Sequence, residues 1–164
     1  MPELVVLAHN IRSVYNVGSI FRTCEGFGVS RLIFSGYTPY PRVEGDSRLP
    51  HISSKITTQI AKTALGAENI VPFERSENVF NAIKRYKSQN YTILGLEQCP
   101  DSVKLQDFVP IPKIVLILGE EVNGIPPEVL KLCDKTLEIP MFGQKESFNV
   151  SVAAGIALYQ LACK

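Results

Sequence analysis

Three short polar segments hold the residues best suited to chemistry. Asn16-Val17-Gly18-Ser19-Ile20-Phe21-Arg22 supplies an arginine near the start of the chain. Gly119-Glu120-Glu121-Val122-Asn123-Gly124 follows an apolar run, and Ile139-Pro140-Met141 leads into Ser147-Phe148-Asn149-Val150-Ser151. Small, polar and glycine residues at the tip of an apolar strand let backbone amides and carbonyls approach a ligand closely. Three such tips, far apart in the chain, predict one composite site.

The chemistry open to that site is narrowed by what the chain lacks. There is no GxGxxG, Walker loop, HExxH or GxSxG pattern. His9 and His51 pair with no cysteine or carboxylate cluster, and Cys24, Cys99, Cys133 and Cys163 have no CxxC or Cys/His spacing. A zinc site, any other metal site and a disulfide framework are therefore not expected. Most acid–base and metal mechanisms lack their parts.

The elements that must position these tips alternate between strand and helix. Leu4 to Ala8 is a short all-apolar run, the pattern of a strand buried on both faces. Asn16 reads as an N-cap, with Ile20, Phe21, Cys24 and Phe27 at helical spacing behind it, and Gly26 and Gly28 end the helix. Strands are expected at 31–35, 70–73, 91–96, 114–118 and 136–139. Helices are expected at 52–65, from 76–78 to about 88, from Pro126 to Cys133, and at 149–162. This order predicts an α/β fold, a mostly parallel sheet with helices on both faces. Ligands of such sheets sit beyond the carboxyl ends of the strands, where the 119–124 and 141–148 loops fall.

The last helix has Val150, Val152, Ala153, Ala154, Ile156, Ala157, Leu158, Leu161 and Ala162 around most of its circumference. A helix apolar all round is buried all round, so a second subunit is expected to cover its outer side, the alternative being burial under neighbouring helices of the same chain. The chain has 164 residues, with 45% hydrophobic and 20% charged, and is expected to form one domain, 1–164, with no separate extension. A net charge of +1 leaves only a weak whole-molecule field, so a nucleic acid would need a local patch. Glu3 stands where a signal peptide carries positive charge, and no apolar run reaches the roughly 20 residues of a membrane span. A cytoplasmic protein without membrane attachment is expected.

Asn16, Gly18 and Arg22, then Leu118-Gly119-Glu120-Glu121 with Asn123-Gly124, then Ile139-Pro140-Met141 with Ser147-Phe148-Asn149-Val150-Ser151, resemble the three signature motifs of the SpoU/TrmH family. The motifs occur in the family's order, and the likeness runs from about Leu4 to the C-terminus. The family, within the SPOUT superfamily, comprises S-adenosylmethionine-dependent RNA ribose 2′-O-methyltransferases. The resemblance implies a C-terminal trefoil knot, which general topology rules would not suggest, and a homodimer through the first and last helices. It implies catalytic roles for Arg22, Asn16, Glu121, Ser147 and Asn149. Leu96, Gly119, Ile139, Met141, Ser147 and Phe148 would line the cofactor pocket, and Asn10, Arg12 and Arg22 would meet the RNA.

Family accounts make the matching arginine a base. Neutralising a guanidinium with a pKa of about 13.8 at pH 7 costs about 9 kcal/mol. The reading preferred here is that Arg22 grips the adjacent phosphate bidentately and stabilises the developing alkoxide, the proton leaving to phosphate, water or Glu121. Asn16 both caps its helix and supports Arg22 and the substrate ribose. Arg31, Arg42, Arg48, His51, Lys55 and Lys62, interleaved with Tyr37 and Tyr40, offer a weak RNA-binding pattern. The substrate expected is tRNA or rRNA, with tRNA favoured. The alternatives are an inactive relative that only holds RNA or cofactor, and a small-molecule transferase of another nucleotide-binding class, for which the glycine-rich first turn is missing.

Overall fold

The computed structural model describes residues 1–164. Seven strands form one sheet: β1 (Glu3–His9), β2 (Arg31–Ser35), β3 (Phe73–Ser76), β4 (Thr92–Leu96), β5 (Val103–Lys104), β6 (Lys113–Leu118) and β7 (Lys135–Glu138). Every pairing is parallel, in the order β3-β2-β1-β6-β4-β7-β5. The helices are α1 (Val14–Gly26), α2 (Pro50–Ala64), α3 (Val79–Ser88), α4 (Pro127–Leu130) and α5 (Val150–Cys163).

The two-residue period of a strand sorts the core onto two faces. Leu4, Val6 and Ala8 of β1 join Ile20, Phe21 and Cys24 of α1, Ile60 of α2 and Leu158 of α5 in one cluster. Val5 and Leu7 join Ile83 of α3 and Val129 of α4 in the other. The all-apolar runs of β1 and β6 are thus explained by burial on both sides.

Three boundaries differ from expectation. Ser13, not Asn16, caps α1: its hydroxyl accepts the Asn16 N–H at 3.2 Å, which frees the Asn16 side chain for long-range contacts. The third strand is Phe73–Ser76 rather than 70–73. Its polar residues are used on this edge strand: Glu74 pairs with Arg31 and Arg85, and Arg75 donates to the Phe34 and Gly36 carbonyls. The helix after Pro126 stops at Leu130, short of Cys133.

The apolar α5 is covered on one side only. Ala154, Ala157, Leu158 and Leu161 are buried, while Val152, Ile156 and Tyr159 are exposed. No helix is long and apolar enough to cross a membrane.

Candidate active site

Beyond the carboxyl ends of β4, β6 and β7 lies a cavity of about 340 Å³, within the usual range of small-molecule sites. Each strand end contributes a wall. Leu96 ends β4 and Glu97 and Gln98 follow it, residues 119–124 follow β6, and Ile139 follows β7, with Glu146, Ser147 and Phe148 leading into α5 and Val150 and Ala153 on its first turn.

The 119–124 turn is tightly closed. Glu120 and Gly124 exchange backbone hydrogen bonds, each of 3.0 Å, and Gly124 has φ +68°. A Cβ on Gly119 would collide with the Gly124 carbonyl group and the Ile125 nitrogen. Gly119 does line the cavity, but the space its missing side chain leaves is filled by its own loop rather than by a ligand. Glu97 braces the turn by accepting the Ile125 N–H at 2.9 Å.

Glu121 is the hub of the site. Its carboxylate accepts the Arg12 and Ser13 backbone N–H groups at 2.9 and 3.1 Å and the Asn16 amide at 2.9 Å. Burial alone would raise its pKa, but these hydrogen bonds outweigh it and hold the group below the ordinary carboxylate value. A carboxylate so engaged is a poor proton acceptor, and of the three acceptors considered for the hydroxyl proton it is the least suited. Asn16 continues the network: its carbonyl oxygen accepts the Asn149 amide at 3.2 Å, and Asn149 caps α5 by accepting the Ser151 N–H at 2.9 Å.

One hydrogen-bonded chain thus unites Asn16, Glu121 and Asn149 from the three polar segments. Leu96, Gly119, Glu121, Ile139, Ser147 and Phe148 line the cavity, whereas the half-buried Met141 does not. Met141 leaves β7 ahead of the residues that return to the cavity wall. Arg22 stands exposed on α1, outside the lining, without an ion pair or hydrogen bond. Arg12 is exposed, its Nε 2.6 Å from the buried Glu120 Oε1. Asn10 turns to the β2 loop, where its side chain accepts the Tyr37 N–H at 3.2 Å.

Sequence reasoning missed Glu97, Gln98, Glu120 and Glu146. The first two directly follow the strand end at Leu96, which was the available signal. Of the basic residues suggested for RNA, Arg31 is paired with Glu74 and Arg48 with Asp46, while Arg42, His51, Lys55 and Lys62 are exposed.

The chain is similar to known proteins over its whole length. It is 31% identical over 158 residues to the tRNA (guanosine(18)-2′-O)-methyltransferase of Aquifex aeolicus (strain VF5), covering 96% of this chain and 68% of that protein. An uncharacterized tRNA/rRNA methyltransferase of Mycobacterium ulcerans (strain Agy99) is 30% identical over 98% of this chain, which spans only 47% of that relative's length. The crystal structure of an A. aeolicus TrmH/SpoU tRNA modifying enzyme superposes with a TM-score of 0.81 at 26% identity, over 99% of this chain and 75% of that one. The SpoU methyltransferase AviRb of Streptomyces viridochromogenes, in complex with AdoMet, shares the fold with a TM-score of 0.80 at 23% identity, over 99% of this chain and 57% of that one. Residues 46–159 match the SpoU rRNA Methylase family, and this chain belongs to that family of RNA methyltransferases.

Proposed function

We propose that this chain transfers the methyl group of S-adenosylmethionine to a ribose 2′-hydroxyl of a tRNA or rRNA, with tRNA favoured. The observation that carries the reading is the Glu121–Asn16–Asn149 network, which joins three distant segments at the edge of one cavity. The A. aeolicus relative named for 2′-O-methylation of a tRNA guanosine supports the ribose and the tRNA.

The cavity suits the methyl donor. Leu96, Leu118, Ile139, Phe148 and Val150 supply apolar walls for a flat base. Glu97, Glu120, Glu121 and Glu146 are the only charged residues lining it, a setting that suits a sulfonium and an ammonium group. Glu120 Oε1 is buried and makes no hydrogen bond, although the Arg12 guanidinium lies beside it. When bound, S-adenosylmethionine supplies an electrophilic methyl group. The chain's own residues do the remainder. Glu121 and Asn149 fix the Asn16 side chain, and Asn16 orients the ribose. Arg22 holds the neighbouring phosphate and stabilises the alkoxide, and the proton leaves to phosphate or water.

Arg22 reaches that position in a homodimer. Two turns separate it from Tyr15 on α1, so the two residues share one side of that helix. Tyr15, Val152, Ile156 and Tyr159 are exposed on α1 and α5. A second copy covering these residues would bring Arg22 to the subunit boundary, where it serves the partner's cavity. The trefoil knot and a cytoplasmic location belong to the same proposal. The Gln98 side chain donates to the Glu146 carbonyl at 3.0 Å and ties the loop after β4 to the one before α5.

The test is transfer from methyl-labelled S-adenosylmethionine to unmodified tRNA transcripts and to rRNA, followed by digestion to nucleosides. Label in 2′-O-methyl nucleosides is expected; label on a base overturns the reading, and cofactor binding without transfer marks an inactive relative. Arg22→Lys is expected to lower turnover about 100-fold or more, as loss of an oxyanion donor does. Near-full turnover would show that bidentate geometry is unnecessary. Mixing Arg22→Ala with Glu121→Ala protomers is expected to restore activity, because one cavity of each mixed dimer then has both residues intact.

A further inference from the structure

Tyr37 and Tyr40 follow β2 in the same loop, yet they are used differently. Tyr40 is half-buried and consumed. The Arg48 guanidinium carbon lies 3.7 Å from its ring centroid and that of Arg75 5.6 Å away. Arg48 is itself held by a bidentate pair with Asp46, at 2.9 and 2.5 Å, and by the Tyr40 and Pro41 carbonyls.

Tyr37 is 55% exposed, on a backbone that is firmly pinned. Its N–H donates to Asn10 Oδ1 at 3.2 Å, and the preceding Gly36 carbonyl accepts Arg75 Nη2 at 2.5 Å. The following Thr38 is buried, its hydroxyl donating to the Ala8 carbonyl and accepting the Ile11 N–H, both at 3.0 Å. The Tyr37 phenol, ahead of Glu120, holds the Arg12 guanidinium above its usual pKa. The ring is therefore carried on a fixed backbone and is more than half exposed. Arg12 in turn lies 2.6 Å from Glu120 in the cavity wall. Nothing in either core cluster uses this aromatic side chain. A rigid, solvent-facing aromatic ring beside an exposed arginine is the arrangement on which single-stranded bases stack.

We infer that Tyr37 is a stacking platform for a nucleobase of the RNA substrate, next to the nucleotide whose ribose enters the cavity. This rests on the RNA methyl-transfer reading above. It assigns substrate positioning to a residue outside the three motifs.

The test compares the full chain with its Tyr37→Leu and Tyr37→Trp variants. Binding of fluorescein-labelled, unmodified tRNA transcripts is measured over a range of salt, and S-adenosylmethionine binding by calorimetry. Tyr37→Leu keeps bulk and apolarity but removes the π face, and is expected to weaken RNA binding about 5- to 100-fold. Tyr37→Trp is expected to stay within about threefold of the parent. Cofactor affinity is expected to be unchanged in both, and the salt dependence of RNA binding to keep its slope, because no phosphate contact is lost. Equal RNA binding by the parent and Tyr37→Leu, with methyl transfer intact, overturns the platform and leaves the methyl-transfer reading standing. A shallower salt slope in Tyr37→Leu also overturns it, since the residue would then act through a phosphate contact. A parent chain that neither binds nor methylates RNA overturns both.

Discussion

The loops at 119–125 and 140–148 wall the same cavity but are held in unequal ways. The first is closed by reciprocal Glu120–Gly124 bonds, braced by Glu97 at Ile125 and by Asn123 at Glu120, and anchored through Glu121 to the start of α1. The second makes no backbone–backbone hydrogen bond, and its tie is the Gln98 side chain on the Glu146 carbonyl. Phe142, near its tip, is 96% exposed. The difference separates a preformed wall, which carries Glu120 and Glu121 and meets the first motif, from an adaptable one that can order around a ligand.

The most severe way to break this contrast is Glu121→Ala. It strips acceptors from two backbone N–H groups and the Asn16 amide, and charge-assisted hydrogen bonds are each worth about 1.5–3 kcal/mol. A stability loss of about 2–4 kcal/mol in urea unfolding is expected, with methyl transfer down 100-fold or more. Gly119→Ala comes next: forcing a methyl group into the Gly124 backbone should cost about 1–3 kcal/mol and displace the cavity wall, read as lost stability and weakened cofactor binding. Gln98→Ala should cost only about 1 kcal/mol, while raising amide hydrogen exchange in 140–148 and leaving 119–125 unchanged. Equal exchange changes in both loops would erase the distinction.

The smallest effect is expected with pH. Glu121 has a depressed pKa in the folded chain, so the unfolded chain binds the proton first as pH falls. Its contribution is fully present above the ordinary value of 4.5 and is lost as pH falls through the folded value. Urea midpoints measured from pH 7 downward should therefore fall less steeply in Glu121→Gln than in the parent.

The regular elements were largely legible in the sequence because burial on both faces leaves an apolar run, as in β1 and β6. What was missed depends on partners far away in the chain. The polar strand β3 is stabilised by ion pairs and carbonyl contacts of Glu74 and Arg75, which no local pattern reveals. Asn16 looked like a helix cap because its type suits one, but Ser13 takes that task and Asn16 bridges Glu121 to Asn149. The cavity walls at Leu96, Gly119, Ile139, Ser147 and Phe148 followed from strand ends and from the family likeness. Glu97 and Glu120 did not, since a loop carboxylate in a sequence is most simply solvated. Arg48 and Tyr40 looked like RNA contacts until their mutual stacking and the Asp46 pair accounted for them.

The structure of the chain soaked with S-adenosylmethionine, solved with its subunit arrangement intact, tests the central claim most directly. The account predicts the adenine between Leu96, Ile139 and Phe148, and the methyl group directed toward Asn16 with Arg22 of the partner subunit alongside. A cofactor bound elsewhere, or a methyl group facing away from both Asn16 and any Arg22, would contradict it.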